Sequence, residues 1–160
     1  MRWPWSSPAP HLANAQADAL LQDLLSADAS RIHASACRVA VLFDRPLLQM
    51  LAPHAERIEQ ACSGVRLGGA LVANQIHLQA ALQRLRHVRD PAGCLCALFP
   101  SYLFFDPRRM IEAGHVCLLE LGQADDGWGA RHRVACQHCG QAWDASDREY
   151  HAPWWEWKPV

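Results

Sequence analysis

The chain has 160 residues, of which 51% are apolar and 19% are charged, and its net charge at pH 7 is -1. This length fits one ordinary domain or a small helical domain with an appendage, and it excludes most large catalytic architectures. The apolar content is too high for an intrinsically disordered chain. Because the net charge is close to zero, any binding to nucleic acid or to an anionic membrane must depend on a local surface.

The sequence contains no apolar stretch that approaches the ~20 residues needed to span a bilayer. Prolines interrupt the N-terminal residues 1–13, where an export signal would need an apolar helical run, so this segment is predicted to be a disordered leader. Seven cysteines are an odd number and favour reduced thiols or metal ligands over a disulfide framework. We therefore expect a cytoplasmic protein that does not bind membranes.

Residues 14–90 are predicted to form a helical domain of four or five packed helices. Apolar residues recur at spacings of three and four in three segments, which are residues 14–26, 30–43 and 74–88. Each segment begins with Asn or Ser, which are favoured helix N-caps. Pro46 and Pro53 fit the first turns of further helices, where the missing N–H of proline costs nothing.

The pattern changes after Asp90-Pro91-Ala92-Gly93, whose proline and glycine end the last helix. Strand-like segments follow at residues 94–99, 115–121, 131–136 and 150–157. Residues 91–160 are therefore predicted to form a small β unit. The predicted fold class is α+β, with an N-terminal helical bundle followed by a small antiparallel sheet.

The strongest chemical motif is a CxxC pair, Cys136 and Cys139, followed by Gly140. The two-residue spacing lets a tight turn direct both thiolates at one ion, and glycine can adopt the positive φ that such a turn requires. Cys94 and Cys96 supply a second pair, because residues i and i+2 of a strand project from the same face. Four thiolates suit Zn²⁺ and leave no open coordination position, so we predict one structural zinc ion bound by these cysteines.

This arrangement resembles a zinc ribbon, in which two cysteine-bearing turns or strand ends of a small antiparallel sheet bind one ion. The resemblance covers residues 93–145 and implies a metal-dependent fold for this part of the chain. Zinc ribbons commonly carry CxxC in both halves, whereas the first half here is CxC.

Three further residues could replace one of the four ligands: His115, Cys117 and His138. Cys117 is predicted to share a strand face with Leu119 and Leu121, which favours a position in the core. His138 lies inside the CxxC turn and is expected to be solvated.

Catalysis is not predicted. The sequence contains no Gly-rich phosphate loop, no Gly-x-Ser-x-Gly motif and no His-Glu-x-x-His pair. The CxxC motif follows a strand rather than opening a helix, which disfavours redox chemistry. Cys37 and Cys62 fall among apolar residues of predicted helices, where free cysteine behaves as a small buried hydrophobic residue.

The C-terminal segment is rich in aromatic residues and has two interpretations. Alternation in a strand would place Trp155 and Trp157 on one face and Trp154 and Glu156 on the other. In the first interpretation the indole rings bridge the zinc unit to the helices and form a minor second core. In the second they bind a protein partner, with the three tryptophans as anchors and Tyr150 and Glu156 at the rim.

These features favour a protein-binding module with a structural zinc site. In size and character the chain resembles the small cytosolic immunity proteins of bacterial toxin systems, which implies a cognate toxin as partner. The alternative is a nucleic-acid-binding zinc-ribbon protein. Its candidate basic residues are Arg84, Arg86, His87 and Arg89 near one helix end, and Arg131 and Arg133 on one strand.

Overall fold

The structure, a computed structural model, describes residues 10–149 and 154–160. These residues fall into two compact units. The first contains the described residues up to Gly69 together with Ala73–Arg89, and the second contains Ala70–Val72 and Asp90–Val160. Along the chain, helices precede a four-stranded antiparallel sheet, so the fold class is α+β, as predicted.

Within its described residues, the first unit contains five α-helices, in agreement with the predicted four or five. They are α1 (Ala15–Leu24), α2 (Ala29–Ala40), α3 (Arg45–Leu51), α4 (Ala55–Cys62) and α5 (Gln75–His87), with a 3₁₀ turn at Ala52–His54. Helix α2 packs against both α1 and α5. The core of this unit is aliphatic and includes Leu21, Ile32, Leu48, Ile58 and Leu85, all fully buried.

Short polar side chains mark where these helices begin. Asn14 caps α1 as predicted, since its side chain accepts hydrogen bonds from two backbone N–H groups of the first turn. Helix α2 begins after Asp28 rather than at the predicted cap Ser30, because the Asp28 carboxylate accepts a first-turn N–H. Asn74 precedes α5, but its side-chain amide donates to the carbonyl oxygen of Leu67 instead of capping the helix.

Residues 10–13 belong to the predicted leader and are attached to α1. The side chain of Gln22 donates to the carbonyl oxygen of Pro10 at 2.8 Å, and the N–H of Leu12 donates to the carboxylate of Asp18 at 2.9 Å. The rest of the predicted leader, residues 1–9, lies outside the described residues.

The second unit combines a 3₁₀ helix, a short α-helix and the sheet. Its elements are a 3₁₀ segment (Leu95–Ser101), α6 (Pro107–Glu112), β1 (Val116–Gln123), β2 (Ala130–Cys136), β3 (Ala142–Asp147) and β4 (Trp155–Pro159). The strand order is β1-β2-β3-β4, with each strand antiparallel to the next. The prediction of a strand at 94–99 is wrong, because these residues turn into the 3₁₀ segment, and β3 was not predicted.

One face of this sheet is buried beneath aromatic residues. Val134 pairs with Trp143 across β2 and β3, and all three of Val134, Trp143 and Trp157 are buried. Phe99 of the 3₁₀ segment lies against two of these side chains, with ring centroids 5.6 Å from Trp143 and 4.5 Å from Trp157. The second unit therefore has a small aromatic core of its own.

Strand β1 contains a bulge that changes which residues share a face. Before the bulge Cys117 pairs with Ala135, and after it Leu121 pairs with His132. Paired residues of adjacent strands lie on the same face, and β2 alternates regularly, so the two β1 side chains lie on opposite faces. The prediction that Cys117 shares a core face with Leu121 is therefore wrong; Cys117 is half-buried, and Leu121 is 62% exposed.

None of the helices in residues 10–149 and 154–160 has the length and apolarity that crossing a bilayer requires.

Candidate metal centre

The CxxC pair lies in the turn between β2 and β3. Cys136 is the last residue of β2, and its carbonyl oxygen accepts the N–H of Gly140 at 2.9 Å. The N–H of Cys136 in turn donates to the carbonyl oxygen of Gln141. Gly140 has φ of +76°, a conformation that side chains other than glycine rarely adopt. This tight turn directs the sulfurs of Cys136 and Cys139 to the same side.

The CxC pair lies where an extended residue enters the 3₁₀ segment. Cys94 has extended dihedral angles of φ -80° and ψ 136°, and Cys96 is in the first turn that follows. The N–H of Ala97 donates to the carbonyl oxygen of Cys94 at 3.1 Å. The two sulfurs thus approach each other through a turn, so the predicted i, i+2 alternation of a strand is wrong for this pair.

These two turns bring all four predicted ligands together. The Sγ atoms of Cys94, Cys96, Cys136 and Cys139 all lie within 4.8 Å of one another. Sγ of Cys94 is 3.6 Å from Sγ of Cys136, and Sγ of Cys96 is 3.4 Å from Sγ of Cys139. Zinc–sulfur bonds of about 2.3 Å in a tetrahedron require sulfurs about 3.8 Å apart. The cluster is therefore compatible with a zinc-ribbon-like unit and could bind a metal ion.

The surroundings of the thiols differ between the two turns. Burial raises the pKa of the Cys94 and Cys96 thiols, because a thiolate is poorly solvated there. A hydrogen bond from the backbone N–H of Gln141 lowers the pKa of Cys139, which is exposed to solvent. Four converging thiols, three of them shielded, have the chemistry of a site for a thiophilic cation.

The predicted substitute ligands lie outside this cluster. His115 contributes its backbone carbonyl oxygen, which accepts the N–H of Gln137 at 3.0 Å. The thiol of Cys117 faces the carbonyl oxygen of Ala135 at 3.7 Å. His138 is exposed, as expected for a residue inside the CxxC turn.

The aromatic C-terminal residues are divided between the core and the surface. Trp155 and Trp157 are each 4% exposed, and the indole N–H of Trp157 donates to the carbonyl oxygen of Phe105 at 2.9 Å. These two rings belong to the core of the second unit, in agreement with the second core of the first interpretation. Their proposed use as partner-binding anchors is inconsistent with their burial, because a partner has no access to them.

The other proposed anchors have different positions. Trp154 is half-buried, and Glu156 is half-buried and paired with Arg148 at 2.8 Å. Tyr150 lies outside the described residues. Trp154 lines a cleft of about 490 Å³ together with Trp128, which is 70% exposed.

Trp128 was not predicted as a functional residue, although a signal was present. It lies between Gly127 and Gly129, both with positive φ, in the loop between β1 and β2. Loops lie mostly at the surface and often carry binding residues, so a tryptophan between two glycines of a loop is a candidate for binding.

The arginines proposed for nucleic-acid binding make contacts with other residues of the chain. Arg84 is fully buried, donates to the carbonyl oxygen of Leu42 and lies over the ring of Phe43 at 4.4 Å. Arg86 forms an ion pair with Glu59 at 2.6 Å.

Further arginines of this alternative also pair with carboxylates: Arg89 with Glu56 at 2.6 Å, Arg131 with Glu120 at 3.0 Å and Arg133 with Asp144 at 2.8 Å. Ion pairs of this kind cancel the local positive charge on which phosphate binding depends.

Known proteins give no independent indication of what this site does. No protein-family model matches the chain, and no curated protein and no solved structure matches it. The site must therefore be interpreted from its own geometry and chemistry.

Proposed function

We propose that the second unit binds one Zn²⁺ through Cys94, Cys96, Cys136 and Cys139, and that this ion has a structural role. The observation that carries the proposal is the convergence of the four sulfurs within 4.8 Å. Four thiolates fill a tetrahedral zinc site completely, as in structural rather than catalytic centres.

Metal analysis of the purified full chain tests this assignment. We expect one equivalent of zinc to be lost when Cys136 and Cys139 are both replaced by serine. Iron also accepts four thiolates, and iron at this site would give a coloured protein and overturn the choice of zinc. If the purified protein held no transition metal and all four cysteine thiols reacted freely with a thiol reagent, the proposal of a metal site would be contradicted.

A closed four-thiolate centre has no position for a substrate, which supports a non-catalytic role for this unit. Reduced thiolates also require a reducing compartment, and this supports a cytoplasmic location. Turnover that disappeared on substitution of His115, Cys117 or His138 would contradict the non-catalytic role.

The protein's role in this proposal is to bind another protein through the cleft between Trp128 and Trp154. Tryptophan is one of the residue types that most often dominate binding energy at interfaces. Arg148 also lines this cleft, but its guanidinium is paired with Asp126 at 2.6 Å and with Glu156 at 2.8 Å. Three carboxylates, those of Asp126, Asp147 and Glu149, line it as well, so acidic groups exceed basic ones. The occupant that fits is a basic side chain of a protein partner, placed against an indole ring.

Neutralisation of a bacterial toxin is the specific form of this role that we propose, following the resemblance in size and character to immunity proteins. Co-expression with the product of the neighbouring gene tests it. We expect a complex whose affinity falls about thirtyfold or more in Trp128→Ala, the loss typical of an interface hot spot. Leu71→Ala, which truncates another exposed apolar residue, serves as control. If Trp128→Ala and Leu71→Ala bound the partner with equal affinity, the cleft would be excluded as the binding site.

Binding of nucleic acid is the competing outcome. The ion pairs of Arg86, Arg89, Arg131 and Arg133 give no support to it. Oligonucleotide binding that weakened steeply with salt would nevertheless favour that alternative over a protein partner.

A further inference from the structure

The first unit contains a second convergence of metal-binding side chains, remote in sequence from the four cysteines. His33 and Cys37 of α2 and His77 of α5 each place one ligand atom within 4.8 Å of the other two. Sγ of Cys37 lies 3.4 Å from Nε2 of His33, and the ring centroids of His33 and His77 are 5.1 Å apart.

Helix geometry explains this arrangement. His33 and Cys37 are four residues apart, so their side chains lie on one face of α2, one turn from each other. His77 lies in the first turns of α5, and α2 packs against α5. All three side chains are half-buried. The three donors are therefore held by two packed helices, which fix ligand positions better than loops do.

The distances fit a tetrahedral ion. With zinc–sulfur bonds of about 2.3 Å and zinc–nitrogen bonds of about 2.0–2.1 Å, sulfur and nitrogen ligands are about 3.6 Å apart. The observed separation of Cys37 and His33 is close to this value.

We propose that His33, Cys37 and His77 bind a divalent ion of the zinc class, with the fourth tetrahedral position open to water or to a small exchangeable ligand. Two imidazoles and one thiolate select borderline-soft cations over Mg²⁺ or Ca²⁺, which prefer oxygen ligands. Three protein ligands with one open position distinguish this centre from the closed four-thiolate cluster of the second unit. It does not depend on the function proposed for that unit.

Zinc stoichiometry of the full chain provides the first test. The protein is stripped of metal, kept reduced with a phosphine and titrated with Zn²⁺ against a chromophoric chelator. We expect two equivalents for the wild type, one for His77→Ala and two for the control His54→Ala, whose side chain makes no capping hydrogen bond. Equal stoichiometry of wild type and His77→Ala would overturn the proposal.

Alkylation of Cys37, followed by peptide mass spectrometry, reports on this centre alone. Zn²⁺ is expected to slow alkylation of Cys37 in the wild type and to have no effect on it in His77→Ala, whereas Mg²⁺ should have no effect in either. Because this measurement follows one named thiol, it succeeds or fails independently of the four-cysteine site. Alkylation of Cys37 that is insensitive to Zn²⁺ in the wild type would overturn the proposal.

A second variant keeps the test valid if His77→Ala misfolds. If the circular dichroism of His77→Ala shows lost helix, Cys37→Ala replaces it, because this change keeps both imidazoles and removes only the thiol. It should likewise lose one equivalent of zinc. A folded Cys37→Ala protein that retained two equivalents would contradict the assigned ligand set.

The open position can be tested with Co²⁺ in place of zinc. Azide added to the Co²⁺-loaded wild type should shift the visible spectrum, because it can occupy a free coordination position. The same addition to His77→Ala, where only the four-thiolate centre remains, should leave the spectrum unchanged. A wild-type spectrum that is insensitive to azide would show that the centre is closed.

Discussion

The ring of Phe99 lies 4.5 Å from the ring of Trp157, measured between centroids, and this contact joins the 3₁₀ segment to the last strand. The same segment carries Cys96, so the packing that fixes β4 also fixes one half of the four-cysteine cluster. The indole N–H of Trp157 also donates a hydrogen bond to the carbonyl oxygen of Phe105, which fixes the ring further. The aromatic core of the second unit thus holds the segment that carries Cys96.

Truncation of Trp157 should therefore destabilise the fold. Trp157→Ala removes a buried ring and a buried hydrogen bond, and we expect the free energy of unfolding to fall by about 3–5 kcal/mol. Trp128→Ala is the matched control, because its ring is 70% exposed, and a change within about 0.5 kcal/mol is expected. Urea unfolding of the zinc-loaded proteins measures both. Equal losses in the two variants would contradict the assignment of Trp157 to the core.

The helical unit was largely predictable because its apolar periodicity is strong and local. Ile32 and Leu85, for example, lie in the segments of predicted apolar periodicity at residues 30–43 and 74–88, and both are fully buried. The helix boundaries were harder to predict, because Asp28 and Ser30 are both good N-caps and only the structure shows that the aspartate is used.

The sheet unit was harder to predict because short apolar runs do not identify their own secondary structure. The run beginning at Cys94 was interpreted as a strand, yet it forms a 3₁₀ turn that packs Phe99 on the sheet. The convergence of the four cysteines was still predicted, because both a strand and a turn can bring the sulfurs of a CxC pair together.

The cluster of His33, Cys37 and His77 could not be predicted from local sequence patterns. The four-residue spacing of His33 and Cys37 was visible, but the third donor, His77, comes from another helix, and only the packing of α2 on α5 brings it close. Contacts between residues distant in sequence carry no local signal, so Cys37 was interpreted as a buried apolar residue.

Gly140 allows a test of the turn that holds the CxxC pair. An alanine Cβ at this position would meet nothing within 4 Å, so the cost of Gly140→Ala comes from its positive φ alone, about 1–2 kcal/mol. Gly64→Ala is the control, since that position is equally open and has no positive φ. Thermal unfolding with zinc bound should show a lower melting temperature only for Gly140→Ala. A neutral result for Gly140→Ala would indicate a different turn.

The ion pair of Asp144 with Arg133 predicts a pH dependence in the acid range. Hydrogen bonds from Arg133, at 2.9 Å and 2.8 Å, lower the pKa of Asp144 below its usual value of 3.8. Because the pKa is lower in the folded state, the stabilisation is present above the unfolded value and is lost as pH falls through the folded one. Arg133→Met should raise the pKa of Asp144 towards 3.8, as measured by NMR titration of its carboxyl carbon. An unchanged pKa would show that the pair does not form in solution.

Loss of the metal should unfold the second unit selectively. Cys139→Ser removes one thiolate, and Sγ of Cys139 lies 3.4 Å from Sγ of Cys96, so a tetrahedral four-sulfur site can no longer form. Structural zinc contributes about 10–16 kcal/mol to the folding of zinc-finger peptides, as much as the whole stability of an ordinary domain, about 5–15 kcal/mol. Hydrogen exchange should therefore become fast in β2 and β3 of Cys139→Ser while α1 and α2 stay protected. Cys117→Ser, which changes a thiol outside the cluster, should leave both regions protected. If Cys139→Ser kept the protection of β2 and β3, the aromatic core around Phe99 would be sufficient to hold the sheet, and the ion would not be structural.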